Sequence, residues 1–383
     1  MDLLLSEEQR ALRQRVRRLA EERLAPIAAE VDESHSLRPD VVRMLAEAGL
    51  FRLVIPREYE GEGISAVSIC LTREELARVS AHADSAFAMQ GLGSYPIVNA
   101  GSEEQKRRYL PPIARGEAIA TFALTEPEAG SDVAALCSTA VLEGDFYLLN
   151  GQKRFISNAG DAHTYVAFAK TDPSAGGRGI SAFIISADTP GLIATQNIYL
   201  LAEHVIGEVR FQDCRVPRAN LLGREGEGFR IAMRNLEVYR PSVGAAAVGM
   251  AQAAFEEAVR YVRRRVQFGK PLAEQDVVQY KLAEMATELD AARLLVYRAA
   301  LLRDGGAERV TKEASMAKLF ATEAAQRIID QALQLHGGVG LIKGTVVERM
   351  YREVRALRIY EGTSEIQHIV IARQLLREFE AGG

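Results

Sequence analysis

The chain has 383 residues, of which 48% are hydrophobic, so it has material for a sizeable core and for two or three domains. Lys and Arg total 47 against 51 Asp and Glu, and the net charge of −4 gives no basic face for binding nucleic acid. Cys70, Cys137 and Cys214 suit neither a CxxC metal site nor a disulfide framework, which predicts no metal and a reducing cytoplasm. We read no signal at Met1–Leu5 and no apolar run of membrane-spanning length, so we expect no membrane partner.

The first third of the chain carries helical patterns. Ser6 and Gln9 can form a capping box ahead of an apolar stripe, and further helices are predicted over Ile69–Val79 and Glu103–Leu110. The loops between helices are expected at Pro56, Gly61, Gly63 and Pro96. These patterns predict a helical N-terminal domain over residues 1–118.

A β-rich pattern begins near Ile119. The turn Glu143-Gly144-Asp145 joins two apolar segments and is typical of a hairpin. Further strands are predicted over Tyr165–Ala169, Ile180–Ile185 and Val209–Phe211. Because helical patterns do not alternate with these strands, as a parallel sheet would need, we predict a central β-sandwich or barrel over residues 119–226.

The helical period returns after Gly226. One apolar face is formed by Val278, Leu282, Met285, Leu289, Ala292 and Val296. Breaks are expected at Gly269-Lys270-Pro271, Gly305-Gly306 and Gly337-Gly338. The pattern predicts a C-terminal bundle of four to five helices over residues 227–383, and hence a mainly α fold with a β insert.

An acid beside a glycine marks the segment Ile359–Gly362. Glu361 stands there just before a helix that Ser364 and Glu365 can open. A carboxylate in this position can reach a ligand, so Glu361 is our candidate base. An exposed acid that merely favours the helix dipole would give the same pattern.

Two segments of the β region could hold a cofactor. The segment Ala123–Asp132 offers hydroxyls beside a glycine to a polar ring or a phosphate, although ordinary turns use the same residues. In Lys153–Gly160, Phe155 and Ser157 are two residues apart on a strand and are expected on one face, where a flat ring could lie. The alternative is a half-buried strand with Phe155 in the core.

Cations and glycines recur in the C-terminal third. Arg263–Pro271 and Gln334–Gly340 combine them in a way that suits a diphosphate. A helix end that complements its own dipole, followed by a glycine stop, explains the same residues. The Rossmann, P-loop and zincin interpretations lack support, because the sequence contains no GxGxxG, GxxxxGK[ST] or HExxH.

Taken together, five motifs resemble one family. They are ALTEPEAGSD at Ala123–Asp132, FISN at Phe155–Asn158, RVQFGKP at Arg265–Pro271, QLHGGVG at Gln334–Gly340 and IYEGTSEIQ at Ile359–Gln367. In order and spacing they resemble the acyl-CoA dehydrogenases, flavoenzymes that oxidise acyl-CoA thioesters to trans-2-enoyl-CoA. The resemblance spans essentially the whole chain and implies a helical domain, a β-sandwich and a helical bundle in that order.

The resemblance also implies a mechanism. Glu361 matches the carboxylate that removes the α-proton, while FAD accepts the β-hydride at N5. Some family members place the base on the helix that here contains Glu237, but the aligned position is Tyr239, which is no base of comparable strength at neutral pH. Burial under the acyl chain is expected to raise the proton affinity of Glu361.

Further roles follow from the resemblance alone. Contacts with FAD are implied for Phe122, Leu124, Thr125, Gly130, Ser131, Phe155, Ser157, Thr363 and Glu365. Contacts with the FAD of a neighbouring subunit are implied for Arg265, Gln267, Phe268, Gln334, Gly337 and Gly338. Positions near the acyl-CoA are implied for Ala88, Gly91, Ser131, Arg240, Tyr360 and Gly362. The intersubunit contacts require a homo-oligomer, and a dimer of dimers is usual in the family.

The implied electron acceptor is electron-transfer flavoprotein, within fatty-acid β-oxidation. Two alternatives stay open: an acyl-CoA oxidase, although oxidases are generally much longer, and a non-catalytic scaffold that keeps the fold. The sequence departs from the family at Phe155, where many relatives carry Trp, and at Leu200–Gly207, where relatives usually present Gly, Arg and Ser or Thr. The acyl chain length depends on pocket shape, which no motif predicts.

Overall fold

A computed structural model describes residues 5–382 of the chain. The chain divides into two compact units, each built from separate segments. The first, called the helical unit, comprises Met1–Asp32, Ser65–Asp84 and Glu237–Gly383, and the second, called the β unit, comprises Glu33–Ile64 and Ser85–Leu236. Met1–Leu4, part of the segment in which we expected no signal, lie outside the described residues. Between residues 5 and 382, the helices are all too short or too polar to cross a membrane.

The described elements run α, then β, then α along the chain. The helices are α1 Glu7–Leu19, α2 Ala28–Val31, α3 Pro39–Glu47, α4 Ala66–Ala77, α5 Ala81–Ala100, α6 Glu103–Ala114, α7 Gly228–Arg264, α8 Asp276–Asp304, α9 Thr311–His336, α10 Val346–Leu357 and α11 Ser364–Gly382. The strands are β1 Ala120–Ala123, β2 Thr139–Glu143, β3 Phe146–Ser157, β4 Thr164–Lys170, β5 Ile180–Ser186, β6 Leu192–Thr195, β7 Ile206–Pro217, β8 Leu221–Leu222, β9 Val266–Gln267 and β10 Lys270–Pro271. This order confirms the predicted fold class.

Small residues let the helices of the helical unit pack closely. A Cβ on Gly249 of α7 would lie 2.1 Å from the carbonyl oxygen of Glu74 on α4. A Cβ on Gly244 would lie 2.8 Å from Val296 of α8. The face predicted for α8 is buried at Val278, Met285, Leu289, Ala292 and Val296. The predicted breaks after α8 and α9 are confirmed, as is the capping box at Ser6 that opens α1.

The strands of the β unit form two groups. Strands β2 and β3 form the predicted hairpin, in which Glu143 pairs with Phe146 and Gly144 has a φ of +59°. The hydrogen-bonded order is β6-β7-β3-β2-β4-β5-β8, with β1 parallel to β4. Since β2 meets β4 at the single pair Thr139 and Lys170, the sheet divides there. The rings of Tyr147 on β3 and Phe183 on β5 meet edge to face at 5.0 Å, which packs the two groups against each other as a sandwich.

One predicted loop residue lies inside a helix. Pro96 was expected to mark a loop, but it sits within α5. Proline has no N–H, so the carbonyl one turn earlier, that of Leu92, loses its helical partner. The side-chain amide of Asn235 donates to that carbonyl oxygen at 2.8 Å, and Asn235 is itself buried. This replacement hydrogen bond offsets the usual cost of a proline inside a helix.

Candidate active site

Glu361 lies on a tight turn of the helical unit. The turn follows the end of α10 at Leu357 and precedes α11, which begins at Ser364 as predicted. Glu361 has a φ of +54° and Gly362 a φ of +94°. A left-handed conformation is costly for a residue with a side chain, and such strain concentrates at functional sites. The backbone therefore holds the Glu361 carboxylate in an orientation that an ordinary helical turn would not give.

Three side chains hold the two carbonyl groups of this turn. Arg240 of α7 donates through Nε to the Glu361 carbonyl oxygen at 3.1 Å. Lys318 of α9 donates through Nζ to the Gly362 carbonyl oxygen at 2.8 Å. Gln367 of α11 donates through Nε2 to both oxygens, at 3.3 Å and 2.9 Å. Donors from three helices thus offset the strain of the left-handed turn.

The carboxylate of Glu361 is poised to accept a proton. Its Oε2 is buried and has no hydrogen-bond partner among the described residues. Loss of hydration on burial raises the pKa of Glu361, and the nearby charges of Arg73, Arg240 and Lys318 oppose that rise. Burial therefore makes the carboxylate a stronger base, while the cations favour its ionised form.

The surrounding charges are themselves buried. Burial lowers the pKa of Lys318 to about 8, against the attraction of Glu361. Burial also lowers the pKa of Arg240. Arg73 and Asp84 form a buried bidentate ion pair with N–O distances of 2.8 Å and 2.7 Å. Sequence reasoning missed Arg73, Asp84, Lys318 and Gln367. For Lys318 a signal existed, because a lysine on the apolar face of a predicted helix needs a partner.

Glu237, the alternative acid on α7, makes a hydrogen bond at the start of another helix. Glu237 accepts the backbone N–H of Val310 through Oε1 at 2.9 Å, at the start of α9. A carboxylate in that position satisfies a free helix donor and complements the helix dipole. Tyr239 is buried beside it. Of Glu237 and Glu361, it is therefore Glu361 that has a buried carboxylate oxygen without a hydrogen-bond donor.

The first predicted flavin loop belongs to the β unit. Phe122 and Leu124 lie at β1, where Phe122 packs edge to face on Phe168 at a centroid distance of 5.0 Å. Thr125 follows, and its carbonyl oxygen accepts the N–H of Arg154 on β3 at 2.8 Å. Farther along the loop, Gly130 and Ser131 are exposed, and a Cβ on Gly130 would meet nothing within 4 Å. Open space there is compatible with a bound diphosphate.

Phe155 interrupts its strand. The β3–β7 register shifts between Arg154 and Ile156, and Phe155 has a φ of +57°. Strict alternation, on which the shared face with Ser157 was predicted, therefore does not apply across this bulge. The core alternative for Phe155 is wrong, because its side chain is 50% exposed. An exposed aromatic ring in a strained bulge, next to partly buried Ser157, suits a flat ligand such as a flavin.

The residues predicted to reach a neighbour's cofactor are exposed within the chain. Phe268 is 96% exposed with a φ of +53°, and Arg265 and Gln267 are exposed around it. Gln334, Gly337 and Gly338 are exposed at the end of α9. An almost fully exposed Phe is a candidate contact for another molecule.

The residues predicted near the acyl-CoA, and Thr363 and Glu365, which were predicted to contact FAD, differ in exposure. Tyr360, Gly362 and Thr363 are partly buried beside Glu361, and Arg240 is buried. Glu365 is exposed in the first turn of α11. Ala88 and Gly91 are buried on α5.

The atypical segment Leu200–Gly207 is anchored within the β unit. The Val205 carbonyl oxygen accepts the N–H of Asn158, immediately after Ser157, at 2.7 Å. Glu203 pairs with His35 at 2.9 Å. The departure from the family pattern therefore lies directly against the strand end that carries Phe155 and Ser157.

Comparison with known families agrees with this architecture. The acyl-CoA dehydrogenase N-terminal, middle and C-terminal domains match residues 6–117, 121–214 and 226–376. Fold and relatives together define an FAD-dependent oxidoreductase that acts on CH–CH bonds. The chain belongs to the acyl-CoA dehydrogenase family.

Similar proteins include both dehydrogenases and reductases. The chain is 42% identical to an acyl-CoA dehydrogenase of Bacillus subtilis, covering 97% of this chain and 99% of the relative. It is also 42% identical to a 3-(aryl)acrylate reductase of Clostridium sporogenes, covering 98% and 100%. A third relative at 42%, covering 98% and 100%, is the caffeyl-CoA reductase-Etf complex subunit CarC of Acetobacterium woodii.

Two solved structures have the same fold. Butyryl-CoA dehydrogenase from Megasphaera elsdenii superimposes with a TM-score of 0.94 at 36% identity, covering 98% of this chain and 100% of that one. A chain in a structure described as electron transferring flavoprotein of Acidaminococcus fermentans gives a TM-score of 0.95 at 41% identity, with 98% and 100% covered.

Proposed function

We propose that this protein dehydrogenates an acyl-CoA thioester to the trans-2-enoyl-CoA, with Glu361 removing the α-proton. The observation that carries the proposal is the buried Oε2 of Glu361, which has no donor among the described residues. A carboxylate oxygen that the protein leaves unsatisfied keeps its lone pairs for an external proton. The left-handed turn and its three side-chain donors fix the direction in which that oxygen points.

Glu361 must be ionised to work. An α-proton beside a thioester is weakly acidic, so the base gains from burial, which raises its pKa. The rate of proton removal is therefore expected to fall as the pH drops through a value above the ordinary range of a glutamate. FAD, when bound, supplies the acceptor for the β-hydride.

The FAD contacts that the resemblance implies are part of this proposal. Within a subunit these are Phe122, Leu124, Thr125, Gly130, Ser131, Phe155, Ser157, Thr363 and Glu365. The exposed Phe268, Arg265 and Gln334–Gly338 are proposed to contact the FAD of a neighbour. Exposed apolar side chains on α11, Ile369 and Leu376, support an assembly of subunits, which we propose to be a homotetramer.

Electron-transfer flavoprotein is the proposed electron acceptor. Support comes from the relative that is a subunit of a caffeyl-CoA reductase-Etf complex. A role in β-oxidation in the cytoplasm belongs to the same proposal, and the free cysteines Cys70, Cys137 and Cys214 accord with a reducing compartment. The caffeyl-CoA reductase relative favours a second candidate, reduction of an enoyl thioester, in which reduced FAD would supply the β-hydride and Glu361 would return the proton to the α-carbon.

The substitution Glu361→Gln tests the base. An amide cannot accept the α-proton, so flavin bleaching by acyl-CoA in anaerobic stopped flow should slow by about 10²–10⁴-fold, with FAD and acyl-CoA still bound. Glu380→Gln, which changes an exposed acid of α11, is the matched control. Near-parent bleaching by Glu361→Gln would overturn the assignment. A panel of acyl-CoA and enoyl-CoA thioesters, assayed with a dye acceptor or donor, identifies the substrate and the direction.

The acceptor is tested separately. Enzyme reduced anaerobically by acyl-CoA should be reoxidised much faster by electron-transfer flavoprotein than by oxygen or NAD. If oxygen were the faster acceptor, the oxidase alternative would replace this part of the proposal.

A further inference from the structure

Lys318 is a charged residue on the apolar face of α9. It is fully buried, and Ala314, Ala317 and Ala321 of the same helix are buried with it. Burying an ammonium group costs several kcal/mol unless other groups compensate its charge. Its Nζ donates to the Gly362 carbonyl oxygen. The position of Lys318 is therefore explained by the Glu361–Gly362 turn rather than by the packing of α9.

Several charges act on Lys318. The largest is Glu361, which stabilises the ammonium form, and Arg240 opposes it. Glu323 and Glu365 add weaker attraction. The same interaction acts in the other direction, since Lys318 stabilises the ionised form of Glu361. Lys318 and Glu361 thus interact through their charges, although no hydrogen bond joins their side chains in the described part of the chain.

We propose that Lys318 is a positioning residue for the reaction, holding the Gly362 carbonyl and, through its charge, keeping the Glu361 carboxylate ionised until the α-proton arrives. This inference rests on the proposed role of Glu361 as the base. The ammonium group itself need not touch the substrate.

Gln367 separates the two parts of this role. It donates to the same Gly362 carbonyl oxygen at 2.9 Å, and also to that of Glu361, but it carries no charge. Removing Gln367 therefore weakens the hold on the turn while the cations stay in place. Removing Lys318 weakens that hold and also takes away one of the three cations that act on Glu361, leaving Arg73 and Arg240.

The test compares Lys318→Met with Gln367→Leu. The measurement is exchange of α-protons with D₂O, followed by mass spectrometry, in holoenzyme given an acyl-CoA whose quaternary β-carbon has no hydride to lose. Lys318→Met should raise the pH of half-maximal exchange by about one unit, so that exchange at lower pH falls about tenfold. Gln367→Leu should lower the melting temperature and the exchange rate without moving that pH. An unmoved pH in Lys318→Met, or an equal shift in Gln367→Leu, would overturn the proposal.

Lys318→Arg keeps the test decisive if the Met variant fails to fold. The pKa of Lys318 is about 8, so the parent loses this charge under alkaline conditions whereas arginine keeps it. The exchange profile of the parent should show a second inflection near that pH, and Lys318→Arg should lack it. Identical alkaline profiles would also overturn the proposal.

Glu361→Gln distinguishes a failure of the proposed base from a failure of the proposed role of Lys318. If exchange persists in Glu361→Gln, the proposed base is wrong, whatever Lys318 does. If exchange stops there while Lys318→Met behaves as the parent does, the base stands and the role of Lys318 falls.

Discussion

A buried ion pair in the β unit gives a prediction that can be worked from distances. Lys153 of β3 is fully buried, and its Nζ lies 2.7 Å from Oε1 of Glu126 and 3.2 Å from the Leu124 carbonyl oxygen. The Glu126 carboxylate also accepts the N–H groups of Cys137 and Ser138, at 2.5 Å and 3.0 Å. The Glu126 carboxylate thus joins the predicted flavin loop to Cys137 and Ser138 and to the strand that carries Phe155.

Lys153→Met should cost about 3–5 kcal/mol of unfolding free energy, because it leaves Glu126 as an uncompensated buried charge. Lys153→Met alone and the double variant Glu126→Gln with Lys153→Met both leave the Leu124 carbonyl oxygen without its lysine donor. The double variant removes both charges and in addition leaves about one backbone N–H unsatisfied, at a further cost of about 1–3 kcal/mol. The double variant is therefore expected to be more stable than Lys153→Met alone. Replacing both charged residues with neutral ones of similar volume should therefore recover part of the unfolding free energy that Lys153→Met loses.

Urea unfolding at pH 7, followed by circular dichroism and by FAD fluorescence, measures the unfolding free energies of Lys153→Met and of the double variant. The reasoning is refuted if the double variant loses as much stability as the two single variants added together. The pH dependence gives a second check. Burial lowers the pKa of Lys153 from 10.5 to about 8, so between those values the unfolded chain binds more protons than the folded protein. Stability should rise with pH across that window in the parent, and Lys153→Met should lack this rise.

Three further outcomes are expected. Gly362→Ala should lose about 1–3 kcal/mol and slow α-proton removal, because a Cβ there meets Gln367 Nε2 at 2.6 Å at a φ of +94°; an unchanged melting temperature and rate would contradict this. Burial raises the pKa of Asp32 to about 6 from 3.8, so parent stability should decline as the pH rises through that interval, and Asp32→Asn should remove the decline in acid-range denaturation curves. Arg265→Ala should weaken FAD retention and assembly, measured by absorbance and light scattering; a parent protein that is monomeric with full FAD occupancy would argue against the intersubunit contact.

Local patterns predicted the parts of this fold that depend on near neighbours in sequence. The capping box at Ser6 and the hairpin at Gly144 were predictable because their partners lie within a few residues. Pro96 was misassigned because the amide that relieves it, on Asn235, is distant in the sequence. Lys318 was missed for the same reason, since the carbonyl that explains it belongs to Gly362.

The bulge at Phe155 could not be predicted from the sequence, for a different reason. Alternation assumes an unbroken ladder, and nothing in the strand's residue types reveals that the register with β7 shifts there. The left-handed backbone at Glu361 could not be predicted either, because glutamate seldom adopts that conformation and the neighbouring glycine alone does not require it.

The division of the helical unit into Met1–Asp32, Ser65–Asp84 and Glu237–Gly383 has a consequence during synthesis. Helix α4 is buried at Val67, Ile69, Cys70, Leu71 and Leu76, but its neighbours α7 and α8 leave the ribosome long after it. From residue 84 to residue 383, translation at about 5–20 residues per second takes roughly 15–60 s. Until α7 and α8 are made, α4 can pack on α1 but the face that packs on those two helices has no native surface to cover it, and the β unit is completed before they are. A ribosome-bound chaperone is therefore expected to bind near residues 66–77 and to be released only when the C-terminal helices emerge.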